Sequence, residues 1–315
     1  MTARAKLLAA VVVAEVVAIA LLGFRLAGQR GEEAAAVIPL QREQFTASAS
    51  DELKYFYEPK PSGAIQNRGP DGGESVNTIN ADTLNERFDY AVSKPPGTFR
   101  ILSLGDSYAY GLYVNTEENY AEVLEDALNA QCVGGSVRRF EVLNLGVPGY
   151  DLRYTLERLT RRGLKYDPDL VIWFLENGDI NQNAELIYAK IYPRHPLNSG
   201  NLAAAFTQAR AEVYRDVPVR ERFGYQKSAF ASARRSWGGR LVLFSTPAHL
   251  TGPEYKVVGE LAALPGVSFV ELAVDMSMSQ NAVRQGDNHP NAAGHNLITR
   301  DLFTYLTNEH LIPCA

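Results

Sequence analysis

The chain has 315 residues, of which 46% are apolar and 21% charged, with a formal net charge of −5. That composition can bury a core and excludes global disorder; the acidic balance excludes the broad basic face that a nucleic-acid partner requires. The two cysteines, Cys132 and Cys314, fit no zinc spacing and no CxxC redox motif. They form one disulfide tying the C-terminus to the core if the chain is exported, or stand as two thiols.

At the N-terminus, Arg4 and Lys6 precede Leu7–Phe24, 18 residues that are apolar or small except for Glu15. A helical span needs about 20 such residues, and one central acid costs about 2.5–3.5 kcal/mol on insertion, which this many Leu, Val and Ile residues outweigh. Residues 1–30 therefore read as an uncleaved membrane anchor, with the bulk of the chain outside the cytoplasm. The rival is a cleaved signal peptide and a secreted protein. Ala34–Ala36 offers small residues for cleavage but lies far from the apolar run, and Arg25 spoils the nearer option ending at Ala27.

Residues 31–95 are polar and turn-rich and read as a stalk plus lead-in, with Phe45, Tyr55, Phe56 and Tyr57 available to pack against the main domain. From Thr98 the pattern changes, and residues 96–315 read as one domain. Apolar runs predict strands at 99–104, 140–145, 169–175, 240–246 and 267–272. Between them, Asn115 and Glu118 resemble a capping box before a helix carrying Tyr120, Val123, Leu124, Ala127 and Leu128. Asp151 caps a helix with Leu152, Leu156 and Leu159 that ends at Gly163, and a last helix runs from after Pro290 to about Thr307. This alternation predicts a three-layer α/β/α fold with a parallel sheet of about five strands. The segment 181–237, with helical stretches near 202–215 and 225–237, is expected to shape or cover the site entrance.

Binding sites in such sheets lie beyond the carboxyl ends of the strands, so the residues just after each strand carry the functional argument. The first strand runs into Gly105-Asp106-Ser107, which exposes a serine that needs a base within hydrogen-bond reach. The second runs into Asn144-Leu145-Gly146-Val147-Pro148-Gly149, where Gly149 lets its backbone N–H approach a developing negative charge. The third ends in Glu176-Asn177-Gly178-Asp179, where an amide side chain is placed to donate to an oxyanion. At the start of the last helix, Asp287 stands two residues before His289, spaced to orient an imidazole. Each motif alone also serves as a plain turn or helix cap. His295 is expected to pack, and His195, His249 and His310 have no partner that the sequence identifies.

Taken together and in this order, the motifs resemble the SGNH (GDSL-like) hydrolase superfamily. The first block is matched by GDSYAYG (105–111), the second by NLGVPG (144–149) and the last by DNHPNAAGH (287–295). KPPGTFRILSLGDS and LNLGVPGY resemble bacterial members that carry an N-terminal membrane segment. The likeness covers about 95–180 and 238–307. It implies a flavodoxin-like fold, Ser107 as nucleophile, His289 as base, Asp287 as its acid, and an oxyanion hole of Ser107, Gly149 and Asn177. It implies no metal and no cofactor, and a small-molecule or glycan ester as substrate. An O-acyltransferase acting on a cell-envelope polysaccharide and a non-catalytic carbohydrate-binding relative are the alternatives. One departure stands out. The family's third block reads Gly-x-Asn-Asp, whereas here Asn and Gly are exchanged, so the ungapped oxyanion position is Gly178 and lacks its amide side chain; Asn177, after a local bulge, and Asn181 are the candidates to supply it.

Overall fold

The computed structural model describes residues 44–192, 202–247, 249–284 and 286–314. The apolar run Leu7–Phe24 and His195 lie outside the described residues. Among the described residues no helix is long and apolar enough to cross a membrane.

The lead-in forms two antiparallel strand pairs, β1 (Phe45–Ala47) with β2 (Tyr57–Pro59) and β3 (Gly63–Arg68) with β4 (Glu74–Ile79). After β5 (Thr98–Leu104) come the short α1 (Ser107–Tyr110), α2 (Tyr120–Gln131), β6 (Arg139–Asn144), α3 (Leu152–Arg158) and β7 (Leu170–Phe174). Next are α4 (Asn177–Asn181), α5 (Ala184–Ile191), α6 (Leu202–Asp216), α7 (Val219–Ser236), β8 (Leu241–Ser245), α8 (Gly252–Ala262), β9 (Val267–Glu271) and α9 (Ala292–Asn308). Strands β5 to β9 are the five predicted ones. The Asn115–Glu118 box closes a 3-10 turn, and the helix behind it is capped by Asn119, whose side chain accepts the N–H groups of Ala121 and Glu122. The π-helical turn Leu159–Gly163 continues α3 to the predicted end.

The five strands pair in parallel in the order β6-β5-β7-β8-β9. Period-2 alternation sends Ile172 and Phe174 to the core under α2 and α9, and Val171 and Trp173 to the core under α3, α7 and α8. Both faces are therefore covered, which is why the strands read as continuous apolar runs. The chain leaves β5 in one direction and returns past it to β7, so the crevice at the carboxyl ends of β5 and β7 is the switch point where such sheets bind ligands.

Two buried arginines tie the layers together. Arg100, within β5, donates to Glu141 and to the carbonyls of Tyr166 and Ala91. Arg158, joined by the half-buried Arg162, reaches the lead-in at Glu58, with contacts of 2.6 and 2.8 Å respectively. Burial pushes the Glu58 carboxyl up, but the two guanidiniums outweigh it and hold the group at about 2. Cys132 and Cys314 form a disulfide that ties the C-terminus to the end of α2.

Glu58→Ala leaves Arg158 buried without its partner and is expected to cost about 3–5 kcal/mol in urea unfolding at neutral pH. Because the folded Glu58 value lies below its ordinary 4.5, its contribution is full above that pH and is lost as pH falls towards 2. Glu58→Gln should accordingly flatten the acid limb of the stability profile. Replacing Cys132 and Cys314 by serine should lower stability by about 2–5 kcal/mol, read from the same unfolding curves.

Candidate active site

Three loops at the carboxyl edge of the sheet converge. The chain leaves β5 through Gly105, whose φ of 145° and lack of a side chain let the turn close. A Cβ there would sit 2.7 Å from the Ala109 side chain and 2.8 Å from the Phe174 carbonyl oxygen. Asp106 then caps α1, its Oδ1 accepting the Tyr108 N–H at 3.0 Å, and this presents Ser107 at the first turn of the helix.

The Ser107 hydroxyl lies 2.9 Å from His289 Nε2, and His289 Nδ1 lies 2.5 Å from Asp287 Oδ1. The same carboxylate oxygen accepts the His289 backbone N–H at 3.2 Å, while Oδ2 is buried with no partner among the described residues. Burial raises the Asp287 carboxyl, but the hydrogen bond and charge of His289 outweigh it, so the group sits below its ordinary value and stays ionised. The imidazole is further held by a parallel stack on the Tyr108 ring, with centroids 4.3 Å apart and planes 4° apart, and by the edge of Tyr113.

His249, for which the sequence offered no role, supports this loop. Its Nε2 lies 3.1 Å from the Asn288 carbonyl oxygen and its Nδ1 2.6 Å from the Thr246 hydroxyl. Burial lowers the ring to about 3, so it is neutral at physiological pH. An N–H at Nε2 then donates to Asn288, and Nδ1 accepts from Thr246. Asn288 needs the support, because it holds a φ of 64° between Asp287 and His289. No local sequence pattern signals a contact spanning 39 residues. His295 is buried in the α9–α2 contact, where its Nδ1 accepts the Tyr120 N–H, and it stands apart from the serine.

The Gly149 loop borders the same cavity. Asn144 holds it by accepting the Gly146 N–H and donating to the Ala109 carbonyl, both at 2.9 Å. The lead-in braces it from outside, with the Tyr57 hydroxyl donating to the Pro148 carbonyl at 2.7 Å. Gly149 itself takes a φ of 78°.

The two candidate amides each hold a partner outside the serine loop. Asn177 borders the cavity, but its side chain is paired with Thr251. Its Nδ2 donates to the threonine hydroxyl and its Oδ1 accepts the threonine N–H, each at 3.0 Å. Asn181 donates to Glu254 at 2.9 Å and accepts from the Tyr214 hydroxyl at 2.6 Å. Both amides are turned by partners that are distant in sequence, which a local reading of the exchanged Asn–Gly pair cannot see. The cavity, of about 360 Å³, is lined on this side by Asn177 and Asn181 together with Glu176, Gln182, Arg210 and Tyr214. Burial pushes up the carboxyls of Asp106 and Glu176, which line the cavity, and of the buried Asp179, and the neighbouring acids add to the effect at Asp106 and Asp179.

A sequence model of the GDSL-like lipase/acylhydrolase family matches residues 103–297, more than half of the chain. No curated protein matches the sequence significantly. Several solved structures are similar to it. One is a two-domain esterase active on acetylated mannans, with 14% identity and a TM-score of 0.41, covering 67% of this chain and 49% of its own. A second is a lipase/acylhydrolase from Enterococcus faecalis, with 16% identity and a TM-score of 0.40, covering 67% of this chain and 96% of its own. A third is a psychrotrophic esterase from Pseudoalteromonas sp., with 18% identity and a TM-score of 0.43, covering 68% of this chain and 99% of its own. The match thus spans about half the length of the two-domain mannan esterase.

The two loops touch through backbone at Gly146. A Cβ there would overlap the Tyr110 nitrogen and lie 2.8 Å from the Ala109 carbonyl carbon. Gly146→Ala therefore forces α1 away from β6 and is expected to cost about 1–3 kcal/mol in thermal or urea unfolding.

Proposed function

The chain belongs to the GDSL-like lipase/acylhydrolase family, an esterase family, and on that footing we propose that it cleaves a short acyl ester through an acyl-enzyme on Ser107. The observation that carries this reading is the hydrogen-bonded line from the Ser107 hydroxyl through His289 to Asp287. A serine hydroxyl is a weak nucleophile until a base takes its proton. His289 Nε2 is within reach to do so, and an ionised Asp287 fixes the Nδ1–H tautomer and steadies the imidazolium that forms.

In the proposed sequence, Ser107 Oγ bonds to the ester carbonyl carbon as its proton passes to His289. The oxyanion is held by the N–H groups of Ser107 and Gly149. The tetrahedral species collapses, the C–O bond to the alcohol breaks, and His289 returns the proton to that leaving oxygen. Water then attacks the acyl carbon, gives a proton to His289, and the acid departs with Ser107 restored. Asn181, Arg210 and Tyr214 bring polar groups to the cavity lining. Such a lining suits an alcohol portion rich in hydroxyls, such as a glycan, better than a long alkyl chain. A carbohydrate-binding role without catalysis would have no use for the aligned serine, histidine and aspartate.

We further place the catalytic domain outside the cytoplasm, held by Leu7–Phe24 if that segment is retained. The Cys132–Cys314 disulfide supports an oxidising compartment.

The test is turnover of p-nitrophenyl acetate and of acetylated oligosaccharides by the full chain. Ser107→Ala and His289→Ala should fall to background, and Asp287→Asn should lose about 10⁴-fold in kcat. Transfer of the acyl group to a sugar hydroxyl in excess of hydrolysis would identify a transferase using the same residues. An inert wild type whose Ser107 resists a fluorophosphonate probe would rule out the ester-cleaving reading.

A further inference from the structure

A tetrahedral oxyanion in a water-poor site is best held by fixed donors, and loss of one typically costs about 10²–10³ in turnover. In the reaction proposed above the backbone supplies two, at Ser107 and Gly149, both of which line the cavity. The third corner of the cavity belongs to α4, where Gly178 has no side chain and the amides of Asn177 and Asn181 are engaged by Thr251 and Glu254.

That corner is filled all the same. A Cβ on Gly178 would overlap Gln182 Nε2 and Glu176 Oε1, with Glu176 Cδ at 3.0 Å. Helix geometry explains why Gln182 is there. Its N–H donates to the Gly178 carbonyl at 3.0 Å, so it stands one turn above the glycine. Side chains lean towards the N-terminus of a helix, over the preceding turn. With no side chain at 178, the longer glutamine lies across the vacant surface. Its backbone is clamped, the carbonyl accepting from Gln226 Nε2 at 2.6 Å, and Gln226 in turn donates to Asp151 at 2.9 Å. Gln182 is only 8% exposed, borders the cavity with Ser107 and Gly149, and its amide makes no hydrogen bond to the described residues.

Resting on the ester-cleaving reading above, we propose that the side-chain amide of Gln182 is the third oxyanion donor, supplied from one helical turn beyond the usual position. Glu176 does not fill that role. Its carboxyl is an acceptor in the first turn of α4, taking the Asp179 N–H while the Asp179 carboxylate takes the Glu176 N–H at 2.8 Å. The amide carries two N–H groups; one can face the Glu176 carboxyl while the other faces the substrate. An amide donates at any pH.

The experiment compares kcat and KM of the full wild-type chain on a p-nitrophenyl ester with Gln182→Met, which keeps length but loses the donor, and with Gln182→Glu, which keeps shape but replaces the donor with an acceptor. Both retain the backbone bonds to Gly178 and Gln226, and circular dichroism checks the fold. The expected result is a loss of about 10²–10³ in kcat for each, with KM within about threefold of wild type. Either folded variant keeping kcat within about tenfold of wild type, or losing efficiency through KM alone, overturns the proposal. With wild type active and Ser107→Ala dead, that outcome sinks the Gln182 assignment only. An inert wild type with unlabelled Ser107 sinks the ester-cleaving reading, and this proposal falls with it.

Discussion

The contact on which the rest depends is the 2.9 Å hydrogen bond between the Ser107 hydroxyl and His289 Nε2, which joins residues 182 positions apart. A bond of that length tolerates errors of only a few tenths of an ångström, so two separate loops must be held to that tolerance. On the serine side the tolerance is set by close packing of backbone. The Gly105 turn packs against Ala109 and Phe174, and Gly146 is pressed against Tyr110. On the histidine side it is set by polar supports. Val283 donates to the His289 carbonyl at 2.8 Å, His249 holds Asn288, and Asn291 caps α9 by accepting the Gly294 N–H.

The lead-in is part of the same support. Asn85 donates to the Tyr110 carbonyl at 2.7 Å, Asn77 to the Val114 carbonyl at 3.0 Å, and Glu86 accepts the Asn144 N–H. These side chains are almost wholly buried, and each meets backbone in the segments at the carboxyl ends of β5 and β6. A buried polar group carries a large penalty unless it is paired. The segment and the site loops therefore have one satisfactory arrangement relative to each other, fastened at the far end by Glu58 between Arg158 and Arg162.

The corner at α4 shows how a local exchange is absorbed by geometry. With glycine at 178, Glu176 turns in from the N-terminal side and Gln182 leans in from the next turn. Asn177 and Asn181, the amides that sequence reasoning named, are hydrogen-bonded to Thr251 and Glu254. Both partners come from the segment around the start of α8, more than 70 residues away.

The five parallel strands, and the edge at which the loops after them gather, were legible in the amino-acid sequence. Strands β5 to β9 were legible because each is an apolar run long enough to cross a buried sheet, and the turns after them because Gly, Asp and Asn suit few other conformations. The placement of Ser107, Gly149, Asp287 and His289 at that edge was legible for the same reason, since each lies near a strand end or helix start. Only the tertiary structure decided the pairing of Cys132 with Cys314, the packing of the lead-in against the site, the support from His249 and the direction of every amide around α4. These are choices among side-chain rotamers and long-range partners of comparable local energy. The neighbours that select between them come from remote parts of the chain and meet only when the three layers close.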